Sequence, residues 1–267
     1  MKKYINILFL FMLFMACQRQ EKVIETLNRE FQIPVLIQAT TPESFELAKV
    51  DSLSQTFFQF YGKHKFTDTL KLSERHKRDT TYLKDFIWEY PKPTKDDTLT
   101  TDGFQIFIDY QTNVYDKDEY FSNGNCYFPV YVVNETSRTK VFVGKDGRAF
   151  GIQEARDTSE RNSERWRPIE SKGFDFCGNG YFGLKVHPGE FVVFLVSKYS
   201  GNEKQLMRIR LQIGESLYIS KSYEGTFDKR QFEIKKHNYV YKELQRNKSQ
   251  TAHFLFYGAV PKGYDHE

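Results

Sequence analysis

Between residues 104 and 227 apolar side chains recur at every second position, in short runs separated by turn residues. Phe104, Ile106, Ile108 and Tyr110 fall on one face at this period, which predicts a half-buried strand. Residues 126–134 (CYFPVYVVN) predict a second strand, ending in the polar loop Glu135-Thr136-Ser137. Residues 140–144 and 148–153 flank Asp146-Gly147, a dipeptide that supplies the positive φ of a tight hairpin turn.

Residues 181–196 (YFGLKVHPGEFVVFLV) hold two apolar runs joined at Pro188-Gly189. Proline fixes φ at the second turn position and glycine accepts the positive φ at the third, as a type II turn requires, so a hairpin is expected. Phe182, Leu184 and Val186 point one way on the first arm, whereas the second arm is apolar on both faces and predicts a strand covered on both sides. Residues 205–214 alternate: Met207, Ile209, Leu211 and Ile213 inward, Arg208, Arg210 and Gln212 outward on a solvated face. Strands over 217–222 and 223–227 complete the series.

About seven or eight short strands with no intervening helical pattern argue for an antiparallel sandwich of the immunoglobulin-like kind over residues 102–228. The flanks are less regular. Val23, Ile24, Leu27 and Phe31 have helical spacing, residues 32–39 read as an edge strand because of Pro34, and Thr41-Pro42-Glu43-Ser44 reads as a helix start carrying on to Tyr61 with Phe45, Ala48, Leu53, Phe57 and Phe60 to bury. Tyr90-Pro91-Lys92-Pro93 followed by Thr94-Lys95-Asp96-Asp97 reads as a joint. The expected architecture is therefore mainly β: a smaller mixed α/β N-terminal region over 17–101, the sandwich, and a C-terminal extension over 229–267. In that extension 232–244 predicts a helix and 253–260 a strand or an exposed docking segment.

The first residues set an address. Lys2 and Lys3 precede an apolar run to Met15, and Ala16 precedes Cys17, the layout of a secretory leader too short to span a bilayer. Phe14-Met15-Ala16-Cys17 resembles a lipobox, which implies cleavage after residue 16 and acylation of Cys17. Acyl chains would then hold the protein on a lipid bilayer, each CH₂ contributing about 0.8 kcal/mol. Gln18, not Asp, follows the cysteine, which in similar lipoproteins favours the outer membrane over the inner.

Composition narrows the rest. There are 39 basic and 35 acidic residues, and two of the lysines lie in the leader, so no electrostatic case for nucleic acid exists. The 25 Phe and 17 Tyr suit pleated, half-buried surfaces. Cys126 and Cys177 are the remaining cysteines. In an oxidising periplasm they form a candidate disulfide, the alternative being two buried thiols.

Asp-Ser/Thr tripeptides at Ser52, Thr69, Thr80 and Thr98 resemble O-glycosylation acceptors of Bacteroidota envelope proteins. The run FPVYVVN, a DG turn followed by FGIQEA, then WRPIE, FCGNGYFGLKV and PGEFVVFLV is similar to a group of Bacteroidota envelope lipoproteins with an immunoglobulin-like domain. The resemblance covers residues 104–228 and implies an address and a fold, with no catalytic residue.

No nucleophile elbow, phosphate loop, EF-hand or metal-ligand spacing occurs in the sequence, and no pair of the six histidines is three or four residues apart. No catalytic residue, metal or cofactor is nominated. Glu154 and Asp157, set among arginines, read as surface ion pairs of small net energy, and His187 reads as a solvated turn residue. The glycine-rich, aromatic stretch around Trp166, Phe174, Phe176 and Tyr181 is the candidate surface for a partner, an envelope protein or a glycan. The alternatives are an immunity lipoprotein, or an enzyme or enzyme accessory in polysaccharide or peptide processing whose histidines and acids in 62–97 face the sandwich.

Overall fold

The computed structural model describes residues 30–38, 47–67, 70–72, 81–87, 103–116, 125–159, 165–173 and 179–264. The leader, Cys17, the tether segment up to residue 29, the helix start at Thr41 and the joint at 90–97 lie outside the described residues.

From the N-terminus the first strands are β1 (Leu36–Gln38), β2 (Ala48–Lys49), β3 (Ser54–Thr56), β4 (Phe58–Lys65), β5 (Leu70–Leu72) and β6 (Phe86–Ile87). The middle of the chain adds β7 (Gln105–Ile108), β8 (Val114–Asp116), β9 (Asn125–Asn134), β10 (Lys140–Lys145), β11 (Arg148–Asp157), β12 (Arg165–Pro168) and β13 (Glu170–Lys172). The last set is β14 (Tyr181–Val186), β15 (Glu190–Ser197), β16 (Tyr199–Ser200), β17 (Glu203–Ile213), β18 (Ser216–Ile219) and β19 (Tyr223–Phe227), followed by α1 (Tyr239–Arg246) and α2 (Lys248–Phe256). The protein is mainly β, as the alternation predicts.

One large antiparallel sheet runs in the order β6-β14-β10-β11-β4-β15-β9-β7. β11 is its branch point. Its first two residues pair with β10 and β4, and from Phe150 onward it pairs with β17 and then β12. The sheet thereby folds over a shared core. Phe128, Val130 and Val132 of β9 and Val192, Phe194 and Val196 of β15 meet Phe142, Phe182, Leu184 and Val186 from β10 and β14, and Ile209, Leu211 and Ile213 from β17. The inward residues of β17 are those the alternation selects.

β15 buries its other face too. Phe191 and Val193 join Tyr131, Val133, Phe31 and Leu70 in a second cluster, with β1 and β5 paired in parallel beside it. The expected double cover is present, but the expected hairpin is not. β14 pairs with β10 and β6, and β15 pairs with β4 and β9. The turn at Pro188-Gly189, with Gly189 at φ +74°, carries the chain from one part of the sheet to another because both arms find better partners elsewhere.

Three further expectations are corrected. Residues 48–61 are not helical: β4 lies in the middle of the sheet, hydrogen-bonded to both β15 and β11, and Phe58 is fully buried in the main core. Aromatics at 57, 58 and 60 satisfy both helical and strand spacing, and pairing on two sides decides for the strand. The boundary placed near 101 therefore does not separate two sheets. β2 and β3 also pair, in parallel, with the late strands β16 and β13. Finally, 253–256 end α2 and are neither a strand nor a free segment. Val240, Leu244, Leu255 and Phe256 pack on Ile152 and Leu53, with Asn238 and Asn247 accepting backbone N–H bonds as the N-caps of the two helices.

β4 also brings a charge inside. Lys63 Nζ donates to Glu190 Oε2 at 2.6 Å, to Asp85 Oδ2 at 2.8 Å and to the Lys185 carbonyl at 3.1 Å, and all three ionised residues are buried. Three acceptors satisfy the three ammonium hydrogens. Lys63→Met would strand two buried carboxylates, and a loss of about 3–5 kcal/mol is expected, read as a lower urea midpoint with an unchanged slope. A midpoint within error of the parent would show that the ion cluster contributes nothing.

Candidate functional site

β10 and β11 meet at Asp146-Gly147, with φ of 50° and 70°, the left-handed pair of the hairpin turn expected from the dipeptide. Asp146 N–H donates to the Gly180 carbonyl at 3.0 Å. A side chain at Gly180 would bring Cβ within 2.0 Å of Asp146 Oδ1, and its φ is +87°, so space and conformation both demand glycine there.

Beside this turn is a small, open crevice. Four distant segments build it. Phe57 comes from the end of β3, Lys145, Arg148 and Phe150 from β10 and β11, Lys172 and Gly173 from β13, and Tyr257 from the residue after α2. The Phe57 ring lies on the Gly173 backbone, where a Cβ would meet it at 1.9 Å, and the Arg148 guanidinium sits 3.9 Å from its centroid. Lys172 Nζ lies 5.0 Å from the Phe150 ring and 4.3 Å from the Phe254 ring, and Lys145 Nζ lies 5.0 Å from the Tyr181 ring. Each cation is thus held over an aromatic face. Among the described residues Asp146 is the one carboxylate that lines it, and Arg148 has no acidic partner.

Tyr257 is the C-cap of α2, at φ 51° and ψ 40° with its N–H donating to the Ala252 carbonyl, the left-handed closure by which helices commonly end. The residue is 8% exposed, and its buried hydroxyl has no hydrogen-bond partner among the described residues. Burial, reinforced by the nearby Tyr181 and Glu170, pushes that hydroxyl's pKa well above the ordinary phenol value. The Tyr257 carbonyl accepts from Arg210 at 3.1 Å, which pins the backbone.

Three further polar clusters lie in the fold. Glu154 is fully buried, with Arg208 Nε donating to it at 2.7 Å and Arg210 Nε 3.3 Å away as an ion pair without hydrogen-bond geometry. The arginines predicted on a solvated face, and the acid predicted on the surface, are instead packed away: Trp166 of β12 lies against Arg208, the Tyr257 carbonyl of the C-terminal tail takes Arg210, and both arginines hold Glu154. Asp157 is buried as well, 3.1 Å from Lys262.

Glu170 accepts from Tyr199 at 2.6 Å and from the Gln153 N–H and side chain at 2.7 and 3.2 Å, and Tyr223 donates to Gln153 at 3.0 Å. Full burial pushes the Glu170 carboxyl up to about 7 despite these bonds.

His187, expected in solvent, is half-buried between Thr139, whose Oγ1 lies 2.9 Å from Nδ1, and Asp85, whose Oδ1 lies 3.2 Å from Nε2. Burial opposes ionisation of Asp85, but hydrogen bonds from Lys63 and His187 outweigh it and leave its pKa below the ordinary range. An ionised Asp85 accepts only, so Nε2 donates to it, and Thr139 Oγ1 is in hydrogen-bond contact with Nδ1.

Of the partner candidates, Tyr181 borders the crevice, its ring 5.8 Å from Phe150. Trp166 lies apart, half-buried beneath the Arg208 guanidinium at 4.3 Å. Phe174 and Phe176 are outside the described residues. Cys126 is a buried free thiol, and its candidate partner Cys177 is outside the described residues. Ser52 is half-buried in a bend, while Thr69, Thr80 and Thr98 are outside. Sequence reading did not select Arg148, Lys172 or Tyr257. The Asp-Gly turn between Lys145 and Arg148 was the available signal for the first of these.

Among the described residues no group of acids, histidines and cysteines is arranged to hold a metal, and no helix is long and apolar enough to cross a membrane. The fold and crevice define a mainly β protein with a cationic, aromatic recess. Comparison with known proteins finds no matching family model, curated relative or solved structure.

Glu170 makes stability pH-dependent. Its folded pKa of about 7 exceeds the ordinary 4.5, so between those values the folded state holds a proton that the unfolded chain releases, and stability falls as pH rises through that window. The expected loss is roughly 3 kcal/mol between pH 4.5 and 7, flat above. Urea denaturation at pH 5, 6, 7 and 8 reads it directly, and Glu170→Gln is expected to level the profile. A wild-type profile already level from pH 5 to 8 would rule the effect out.

Proposed function

We propose that this chain is a non-catalytic envelope lipoprotein, held on the bilayer through acylated Cys17, with the outer membrane favoured, and that its β domain binds an envelope protein or glycan through the crevice beside the β10–β11 turn. The observation that carries the binding reading is the convergence there of Lys145, Arg148 and Lys172, each beside an aromatic ring. The address rests on the leader and Cys17, and on the resemblance of residues 104–228 to Bacteroidota envelope lipoproteins. Two measurements test the two halves. Alkyne-palmitate is expected to label the protein and not Cys17→Ser, which should leave the membrane fraction; equal labelling of both sinks the lipid anchor. Crosslinked capture from intact envelopes is expected to drop at least tenfold in Arg148→Glu, and equal capture by the variant sinks the crevice.

A second reading, ester hydrolysis, is favoured by one observation: the hydroxyl–imidazole–carboxylate order of Thr139, His187 and Asp85, with His187 placed to accept the hydroxyl proton. It predicts release of nitrophenol from an activated ester at neutral pH that disappears in His187→Ala. Equal rates in the two proteins end it.

A further inference from the structure

We infer that Asn179 is a site of spontaneous covalent modification: the Gly180 nitrogen closes on the Asn179 side-chain amide, and the residue converts to aspartate and isoaspartate. This goes beyond the binding reading and stands whether or not a partner uses the crevice.

The sequence supplies the Asn-Gly pair, and the fold leaves it open to reaction. Asn179 and Gly180 are both exposed, immediately before β14. Among the described residues neither the Asn179 side chain nor the Gly180 N–H has a hydrogen-bond partner. Gly180 also has no Cβ to crowd the attacking nitrogen. Two other exposed asparagines differ on each count. Asn202 and Asn247 accept from the N–H groups of Lys229 and Gln250 through their side-chain oxygens, and Glu203 and Lys248 follow them. A second Asn-Gly pair, at 123–124, lies outside the described residues.

The chemistry needs only water. The Gly180 nitrogen gives up its proton to solvent and attacks Asn179 Cγ. A new N–Cγ bond forms, the Cγ–Nδ2 bond breaks, and the leaving nitrogen takes a proton from water and departs as ammonia. The product is a five-membered succinimide. Water then opens the ring at one of its two carbonyl carbons. Attack at Cγ restores the main chain and leaves aspartate, whereas attack at the main-chain carbonyl leaves isoaspartate, with the chain running on through Cβ and Cγ. One water is consumed and one ammonia released, with no change of oxidation state.

The position gives the reaction a structural consequence. The Gly180 carbonyl accepts the Asp146 N–H at 3.0 Å, next to the Lys145–Tyr181 pair that ends the β10–β14 register. The Asp146 carboxylate sits against the Gly180 Cα, where an added Cβ would collide with Oδ1. Conversion sets a new carboxylate one residue from that contact, where like charges repel. In isoaspartate the main chain also gains a methylene directly before Gly180, which displaces the carbonyl that Asp146 uses. The tie between β14 and the β10–β11 turn therefore loosens as the molecule ages.

The test incubates the full-length protein in detergent at neutral pH and follows each asparagine by peptide mapping, with isoaspartyl methyltransferase labelling to read isoaspartate. Asn179 is expected to convert at least tenfold faster than Asn202 or Asn247, to give both products, and to do so at a rate unchanged by sub-denaturing urea. Asn179→Gln, whose longer side chain would have to close a six-membered ring, is expected to remove the label from that peptide with an unchanged Tm. Amide exchange at Asp146 is expected to be at least tenfold faster in the converted protein than in fresh protein, and unchanged on ageing the variant. Conversion of Asn179 no faster than that of Asn202 overturns the site. Aspartate without isoaspartate assigns direct hydrolysis and overturns the ring closure, and a rate that climbs with urea assigns the reaction to the unfolded chain. Unaltered Asp146 exchange after conversion overturns the loosening of the turn.

Discussion

β15 is the constraint on which the rest depends. From Phe191 to Val196 every side chain is buried, with alternate residues entering opposite clusters. Covering each such side chain is worth about 1.5–3 kcal/mol, so both faces must find apolar cover. One face is met by the folding over of the sheet through β11. The other recruits the N-terminal segment around Phe31, β1 and β5, and β4 joins as the hydrogen-bonded neighbour. The early chain is therefore part of the same body as the late strands.

Polar clamps then fasten the extremities. Lys63 ties β4 to Glu190 at the start of β15 and to Asp85. Glu170 and Thr56 meet where β13 pairs with β3. Arg210 connects Glu154 to the Tyr257 carbonyl and so fixes the tail. The first and last clamps neutralise charge with charge, whereas Glu170 is surrounded by neutral donors. Burial pushes the Glu170 carboxyl up to about 7 against those bonds, whereas the hydrogen bonds from Lys63 and His187 hold Asp85 below the ordinary range.

Local pattern made the strands legible: the alternation in β17, the Asp-Gly turn and the two apolar faces of β15 each report a nearest-neighbour property. Pairing was not legible. The Pro188-Gly189 turn has the chemistry of a hairpin, yet its arms pair with other strands, because turn residues specify a bend and not which edges lie beside it. Arg208 and Arg210 alternate outward just as a solvated strand would, and only chain elements far from them in sequence, Trp166 of β12 and the tail after α2, turn that face into an interior. The misread helix over 48–61 has the same origin, since aromatic spacing alone does not tell a strand covered by two neighbours from a helix face.

The crevice was the least legible feature for a related reason. Phe57, Arg148, Lys172 and Tyr257 are each unremarkable in sequence: an aromatic in a strand-rich stretch, two surface cations and a helix-terminal tyrosine. Their meaning is collective. Gly173 lets the Phe57 ring lie flat, the ring gives the Arg148 guanidinium a platform, and Arg210 donates to the Tyr257 carbonyl. Tyr257 takes its left-handed conformation as the C-cap of α2, so the helix ending that covers Ile152 and Leu53 also sets its place beside the recess.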